Sequence, residues 1–533
     1  MSAASMAAAA LGLAALAGVG LSAPDHVGPG RARPGPRTGT RRPHPLPPGR
    51  RVPPHVGAAV PRWPAGRAGR RAGGAREREA RWARSGDVRP LIVPAADRSR
   101  PVPGGRLVLG RMGRHLLASE PAQSVIVFGP TQSHKTSGFA IPAILGWTGP
   151  VLAASIKTDL IEHTLEHRRS CGSVLVFDPS GSTGLASAPW SPLRGARTWP
   201  GARRSAAGLT EVAKTSMGTM SDGDFWYATA ARMLAPLLFA AAHGRRDMAD
   251  VVRWVDTREE GEVLDLLAGA GVPEAVDAAR SAFAKEERQR SSIYTTVETI
   301  LEPFAEGAGA DADAPAGPAA ARTVDPARLV KGANTLYVCA PAHDQRRLAP
   351  LFVSVVREVV EHVYDRVTRT GRPLDPPLLV VLDEAANIAP LSDLDALAST
   401  AAGHGVQLVT VWHDLAQISS RYGTRATTVV NNHRAKLFLS GISDPSTLDY
   451  ASHLVGEEEV LLPSTTHGGR SGASTTRSPS MRRLAPPDAL RRIAPGEGVL
   501  VYGDLPPARL RLRTWYDDPW LRARARHPGG TPR

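Results

Sequence analysis

SVIVFGPTQSHKTSGFAIPAIL, residues 124–145, is the stretch that decides the fold. Residues 124–128 form a short β-branched and aromatic run, the pattern of a buried strand. The loop Gly129, Pro130, Thr131, Gln132, Ser133, His134, Lys135, Thr136, Ser137 follows at once, and the apolar run 139–145 then starts a helix. Strand, tight loop, Lys-Thr and helix together make the context that a phosphate-binding loop requires. Loop N–H groups and the positive end of the helix dipole converge on the place where a β-phosphate would sit. Lys135 then reaches the β- and γ-phosphates of ATP, and the Thr136 hydroxyl ligates Mg²⁺. The chain has only six lysines against 59 arginines, so Lys135 runs against the compositional trend. There is one departure, because the usual pattern has glycine directly before the lysine and this chain has His134. A side chain there crowds the phosphates if the backbone needs a positive φ or a close approach. Otherwise it points away or touches the nucleotide. A loop that binds nucleotide without hydrolysing it therefore stays open as a second reading.

A nucleotide site of this kind needs a second element, an apolar strand ending in acid. Pro377-Leu378-Leu379-Val380-Val381-Leu382-Asp383-Glu384 supplies it, about 250 residues downstream. A continuous apolar run fits a parallel strand covered on both faces. Asp383 would hold Mg²⁺, and Glu384 would polarise the attacking water as general base. Alone, such a strand end is common; paired with the loop it is specific. A third strand, 406–412, runs into His413, Asp414 and Gln417. Polar groups at the C-terminal ends of such strands face the ligand crevice. His413 or Gln417 would sense the γ-phosphate, and a purely structural histidine is the rival reading. Further strands are expected at 151–156, 173–177, 335–339, 435–440 and 498–502, with helices between them. This alternation predicts an α/β fold built on a doubly wound, mostly parallel sheet.

Composition bounds the alternatives. Two cysteines, Cys171 and Cys339, exclude a disulfide scaffold and a cysteine-ligated metal cluster. The formal charge of +15 is unevenly placed. Residues 26–115 carry 21 arginines and four acids, a net of +17, which leaves about −2 for the rest of the chain. Twelve prolines between Pro24 and Pro64 keep this basic stretch from forming regular structure. Before it, residues 1–24 hold no charged side chain. Their length suits one weak membrane span, with the arginines behind it on the cytoplasmic side. A cleaved signal sequence and a plain flexible leader are the alternatives, although a signal peptide would need a positive start that is absent.

The expected organisation follows. Residues 1–25 form a membrane anchor and 26–75 a basic Pro/Arg/Gly-rich linker. A nucleotide-binding domain occupies 76–200 and 321–520. Between its parts, 201–320 form an inserted all-α domain, read from the helical periodicity of 206–304 and closed by the low-complexity loop 307–318. The Ser/Thr/Gly-rich stretch 463–480 reads as a mobile linker, and 521–533 as a disordered tail.

With these residues in hand, the chain resembles the coupling-protein ATPases of type IV secretion, the TraG/TraD-like conjugative DNA-transfer family. The likeness spans roughly residues 76–520, and its elements occur in family order. GPTQSHKTSG resembles the nucleotide loop, and Ser155-Ile156-Lys157-Thr158-Asp159 the lysine-containing turn after the next strand. VLVFDPSG and Trp190-Ser191-Pro192-Leu193 match two further segments. LLVVLDEAANIAPL followed by GVQLVTVWHDLAQISSRYG is the most specific part, and NNHRAKLFLSGISDPSTLDYASHLVG continues it. Gln417 matches the family pattern, while His413-Asp414 stands where the family usually has Gln-Ser. The resemblance implies a RecA-like P-loop ATPase core with an inserted all-α domain. It further implies a membrane-anchored homo-hexamer with a cytoplasmic ATPase domain. Its expected partners are DNA, single-stranded and carried with a relaxase, or protein substrates, and the components of a type IV secretion channel. ATP would bind between subunits with an arginine supplied in trans. A non-hydrolysing substrate receptor and a chromosome-partitioning translocase of double-stranded DNA are the alternatives.

Overall fold

The computed structural model describes residues 80–97, 101–217, 223–305, 323–341, 343–468 and 472–525. The chain divides into two units, Met1–Ala72 and Gly73–Arg533, and every described residue belongs to the second. The expected anchor, and the linker over 26–75, lie outside the described residues.

Eleven strands form one sheet. In chain order they begin with β1 (Val108–Met112), β2 (His115–Ala118), β3 (Val125–Phe128), β4 (Val151–Ser155) and β5 (Val174–Phe177). β6 (Thr335–Cys339), β7 (Leu378–Leu382), β8 (Val406–Trp412) and β9 (Ala435–Leu439) follow. A separate hairpin, β10 (Glu457–Gly468) and β11 (Gly472–Arg483), precedes β12 (Glu497–Tyr502) and β13 (Ala508–Arg511). The order across the sheet is β2-β1-β13-β12-β9-β3-β8-β7-β4-β6-β5. From β9 to β5 every pairing is parallel, and the strands on the other side of β9 add on antiparallel. This is the α/β, mostly parallel arrangement that the alternation of strands and helices predicts, and it agrees with the RecA-like core that the resemblance implies.

The apolar runs are continuous because the sheet is covered on both faces. On one face Ile126, Phe128, Val380 and Leu408 pack under the helices Gln345–Thr370, Leu394–His404 and Leu415–Tyr422. On the other face Val125, Val127, Leu379 and Val409 pack under Thr136–Gly146, Asp159–Cys171 and Pro519–Ala525. At the N-terminal edge of the sheet, the Arg168 guanidinium is fully buried with no carboxylate partner among the described residues. Its Nε donates to Thr335 Oγ1 at 2.7 Å and Nη1 to the Trp147 carbonyl at 2.6 Å. Nη2 donates to the carbonyls of Gly149 and Ala333, each at 2.8 Å. One side chain thus staples the turn entering β4 to the turn entering β6.

The described residues between β5 and β6 are mostly helical. The helices are Trp199–Met217, Gly223–His243, Met248–Thr257, Gly261–Ala270, Pro273–Phe283 and Glu287–Ala305. They have no separate core: Leu209, Leu237, Trp254 and Phe304 belong to the same buried apolar mass as Phe352 and Val380. Among the described residues one helix, Phe225–His243, is long and apolar enough to cross a membrane. Its Leu234, Leu237, Leu238 and Phe239 are buried within the bundle, so it serves here as a core helix.

Two expectations are corrected. The stretch 463–480 is not a loose linker; its described residues lie in β10 and β11, paired in unbroken register from Glu457 opposite Arg483 to Gly468 opposite Gly472. Backbone pairing and charge pairs such as Arg482 to Glu458, at 2.6 Å, hold a ladder whose stretch 463–480 is Ser/Thr/Gly-rich and lacks an apolar alternation. The tail is ordered as far as Ala525. Leu521 and Ala525 are buried, and Arg524 lies 3.6 Å above the ring of Trp520. Residues 526–533 lie outside the described residues.

Candidate nucleotide site

The parallel strands deliver the expected residues to one edge. β8 lies between β3 and β7, so the loop after β3 and the acids after β7 sit one strand apart, at the C-terminal ends. The loop is tightly wound. Gly129 N–H donates to the Trp412 carbonyl at 3.0 Å, and Gly138 N–H to the His134 carbonyl at 2.7 Å. Ser133 is buried beneath Gly129, and a Cβ on Gly129 would collide with its hydroxyl. That hydroxyl has no hydrogen-bond partner, whereas Thr131 and Gln132 are exposed. Gln132 and His134 take φ of 66° and 64°, the left-handed region that favours glycine.

The question raised by His134 therefore has a geometric answer. The loop does require a positive φ at that position, and a histidine adopts it. Its ring turns toward the C-terminal segment, where Nδ1 lies 3.2 Å from Ser137 Oγ and 3.2 Å from the Tyr516 hydroxyl. An unprotonated Nδ1 has one lone pair, which the two hydroxyls share.

Lys135 and Thr136 face inward. Lys135 is 4% exposed and its Nζ donates to the Pro130 carbonyl at 3.1 Å. Burial lowers its pKa, against the pull of Asp383 and Glu384. Thr136 Oγ1 donates to Asp383 Oδ2 at 3.1 Å, and Ser155 Oγ reaches the same oxygen at 3.3 Å. Asp383 is almost fully buried, and burial, reinforced by the charge of Glu384, pushes its pKa up to about 6. A buried carboxylate with two hydroxyls and no ion pair among the described contacts fits a small divalent cation, for which oxygen ligands are preferred. The residues present therefore suit Mg²⁺.

Glu384 follows with φ 64°, a strained backbone for a non-glycine at a strand end. Lys157 Nζ approaches its Oε1 at 3.4 Å, His413 Nε2 lies 4.0 Å from the same oxygen, and Asn387 Nδ2 is 3.4 Å from Oε2. The His413 pKa is lowered by burial first and by Lys135 second, so its ring tends toward the neutral form. Gln417 is tied to the same strand end, its Oε1 accepting from the His413 N–H at 2.9 Å. Asp414 caps the helix Leu415–Tyr422 by accepting from Gln417 N–H at 2.8 Å. The strand end thus brings His413 to the acids, while Gln417 fixes the turn that presents it.

Lys157 and Ser155, which sequence analysis left without a role, both join this cluster. Their signal was their position at and just after the end of β4, the neighbour of β7. Asp178, at the end of β5, accepts from Ser180, Ser182 and Thr183 and so closes its own loop.

Comparison with known proteins agrees with this arrangement. The family described as Type IV secretory system Conjugative DNA transfer matches residues 92–531. The conjugal transfer protein TraG of Escherichia coli is 23% identical over 516 residues, covering 84% of this chain and 78% of the relative. Protein VirD4 of Rhizobium rhizogenes is 24% identical over 462 residues, covering 83% and 66%. Among solved structures, the unbound bacterial conjugative coupling protein TrwBdeltaN70 superposes with a TM-score of 0.60 at 16% identity, over 82% of this chain and 93% of that chain. The plasmid coupling protein TrwB in complex with ADP and Mg²⁺ does so at 0.59 and 16%, over 82% and 94%. At that identity the likeness is one of fold. The family match covers most of the chain, loop and acid strand included, and the chain belongs to the type IV secretory system conjugative DNA transfer family.

Proposed function

We propose that this chain is an ATPase that couples conjugative DNA transfer to a type IV secretion channel, its hydrolysis of ATP driving translocation. One observation carries the reading: Lys135, Thr136, Asp383 and Glu384 converge at one edge of the sheet, with Thr136 hydrogen-bonded to Asp383. TraG and VirD4 by name, and TrwB by its ADP and Mg²⁺ complex, support it.

In this reading the loop N–H groups and Lys135 bind the β- and γ-phosphates, and Lys135 leaves the Pro130 carbonyl to do so. Thr136 and Asp383 hold Mg²⁺, which when bound neutralises charge on the phosphates. Glu384 takes the proton of the attacking water, with Lys157 and Asn387 fixing its carboxylate. His413, beside Glu384, responds to the γ-phosphate. The chain works as a homo-hexamer with a cytoplasmic ATPase domain anchored to the membrane through residues 1–25. Its substrate is single-stranded DNA with a relaxase, and its partners are the channel components. Since the chain outside residues 26–115 is close to neutral, DNA contact rests on few side chains and weakens with salt.

ATP turnover by the full chain, measured with and without single-stranded DNA, tests the proposal. Turnover that rises with DNA and disappears in Lys135→Ala is expected. Clear ATP binding with no turnover under either condition would instead mark a non-hydrolysing receptor.

A further inference from the structure

Among the described residues few large apolar side chains are exposed, and one of them stands beside the phosphate loop. Tyr516 is 37% exposed, and it is not loosely held. Its hydroxyl reaches His134 Nδ1 at 3.2 Å. Its ring meets Trp515 edge to face, with centroids 5.5 Å apart and planes at 81°. Trp515 in turn packs on the His163 ring at 4.2 Å, and its N–H donates to the Ser137 carbonyl at 3.1 Å. Ser137 is the second residue after Lys135, in the first turn of the helix that receives the phosphates. The backbone around the tyrosine is also pinned. Asp518 N–H donates to the Thr514 carbonyl at 3.1 Å, and Arg513 Nε to Asp518 Oδ2 at 2.8 Å.

We infer that Tyr516 is the stacking platform for the base of the bound nucleotide, held in place by His134. The inference rests on the nucleotide reading of the loop. Three features carry it. The ring is fixed at the turn where a phosphate chain would run past Lys135 and Thr136 toward Ser137, so the ribose and base emerge on the Tyr516 side. Its hydroxyl is committed to His134, which leaves an aromatic face open to water. The ring is held before any ligand arrives, so stacking costs little ordering entropy. The same contact explains a histidine at a glycine-favouring φ. The imidazole gives up backbone comfort and gains the contact with the Tyr516 hydroxyl, and it positions the platform.

The test separates base from phosphate. The full chain is titrated calorimetrically with ADP and, separately, with inorganic tripolyphosphate, which has no base. Stacking on an aromatic ring is worth enough that Tyr516→Ala should weaken ADP about fivefold or more and leave tripolyphosphate unchanged. Tyr516→Phe keeps the ring and should retain most of the ADP affinity. Equal losses for ADP and tripolyphosphate in Tyr516→Ala would overturn the inference, since the tyrosine would then act only on the loop. So would a Tyr516→Phe loss as large as that of Tyr516→Ala. Wild-type protein that binds neither ligand sinks the nucleotide reading itself, and the platform with it.

Discussion

Replacing Arg168 tests whether the sheet edge depends on one buried charge. The guanidinium makes four hydrogen bonds, three to main-chain carbonyls and one to Thr335, and meets no carboxylate among the described residues. Arg168→Met removes all four donors and leaves the carbonyls of Trp147, Gly149 and Ala333 buried. Each unsatisfied group costs roughly 1–3 kcal/mol. Against this stands the desolvation of the guanidinium, several kcal/mol, which the variant no longer bears. The three orphaned carbonyls outweigh the relieved desolvation only in part, and the balance is a loss of about 1–4 kcal/mol. Arg168→Lys keeps the charge but has one nitrogen, which cannot reach acceptors on two separate turns. It should fall between, at about 2 kcal/mol. Thr335→Val deletes a single bond and should cost about 1 kcal/mol. Thermal unfolding followed by tryptophan fluorescence ranks the series. A lysine variant as stable as wild type would refute the argument from the fork's geometry. A methionine variant as stable as wild type would refute the claim that the staple matters at all.

Other outcomes follow from the site and its surroundings. Glu384→Gln should bind ADP normally and lose turnover by about 100-fold or more, as expected for a lost general base; a loss of binding instead would place Glu384 elsewhere in the cycle. Gly129→Ala drives a methyl into the Ser133 hydroxyl and within 3.2 Å of Leu439 Cβ, so ADP affinity should drop at least about tenfold while the far-ultraviolet spectrum stays native. Glu358 accepts from Trp190 Nε1 at 2.6 Å, and burial, with the charges of Asp325 and Glu361, raises its pKa to about 7 despite Arg194. The folded state therefore holds this proton more tightly than the unfolded chain, and stability falls as pH rises from about 4.5 to about 7. Its carboxylate keeps some contact with water, so the cost is about 1–3 kcal/mol. Glu358→Gln should raise the melting temperature at pH 8 and leave it nearly unchanged at pH 5; equal shifts at both would show that ionisation is not the cause.

The strands over 335–339 and 406–412 were legible to the residue, and five others to within one residue at either end. Their β-branched runs are dictated by burial on two faces, which composition records directly. β1, β2 and β13 were not legible. They are short and pair antiparallel at the edge, where alternation over four or five residues carries little information. β10 and β11 were misread because their strands are polar, and a ladder held by backbone bonds leaves no hydrophobic trace. Lys135, Thr136, Asp383 and Glu384 were legible as motifs, since phosphate and metal chemistry restricts residue type. Their mutual placement needed the strand order, which no local pattern encodes. Gln417 shows the limit from the other side: its spacing suggested a phosphate sensor, and no spacing showed that its Oε1 also holds the His413 backbone. The link from His134 to Tyr516 spans 382 residues and had no sequence signal at all.

The absence of a private core for the inserted helices has a mechanical meaning. A lever swings about a pivot, and interlocked side chains at crystal-like density do not supply one. Prising the bundle from the sheet would expose its Leu and Phe side chains at roughly 1.5–3 kcal/mol each, so that even six of them cost roughly 9–18 kcal/mol. Bundle and sheet, sharing one core, are therefore costly to separate as rigid bodies. In the proposed cycle, motion started at the strand ends would be taken up by the loops there, and the bundle would be carried along with the sheet as a passenger.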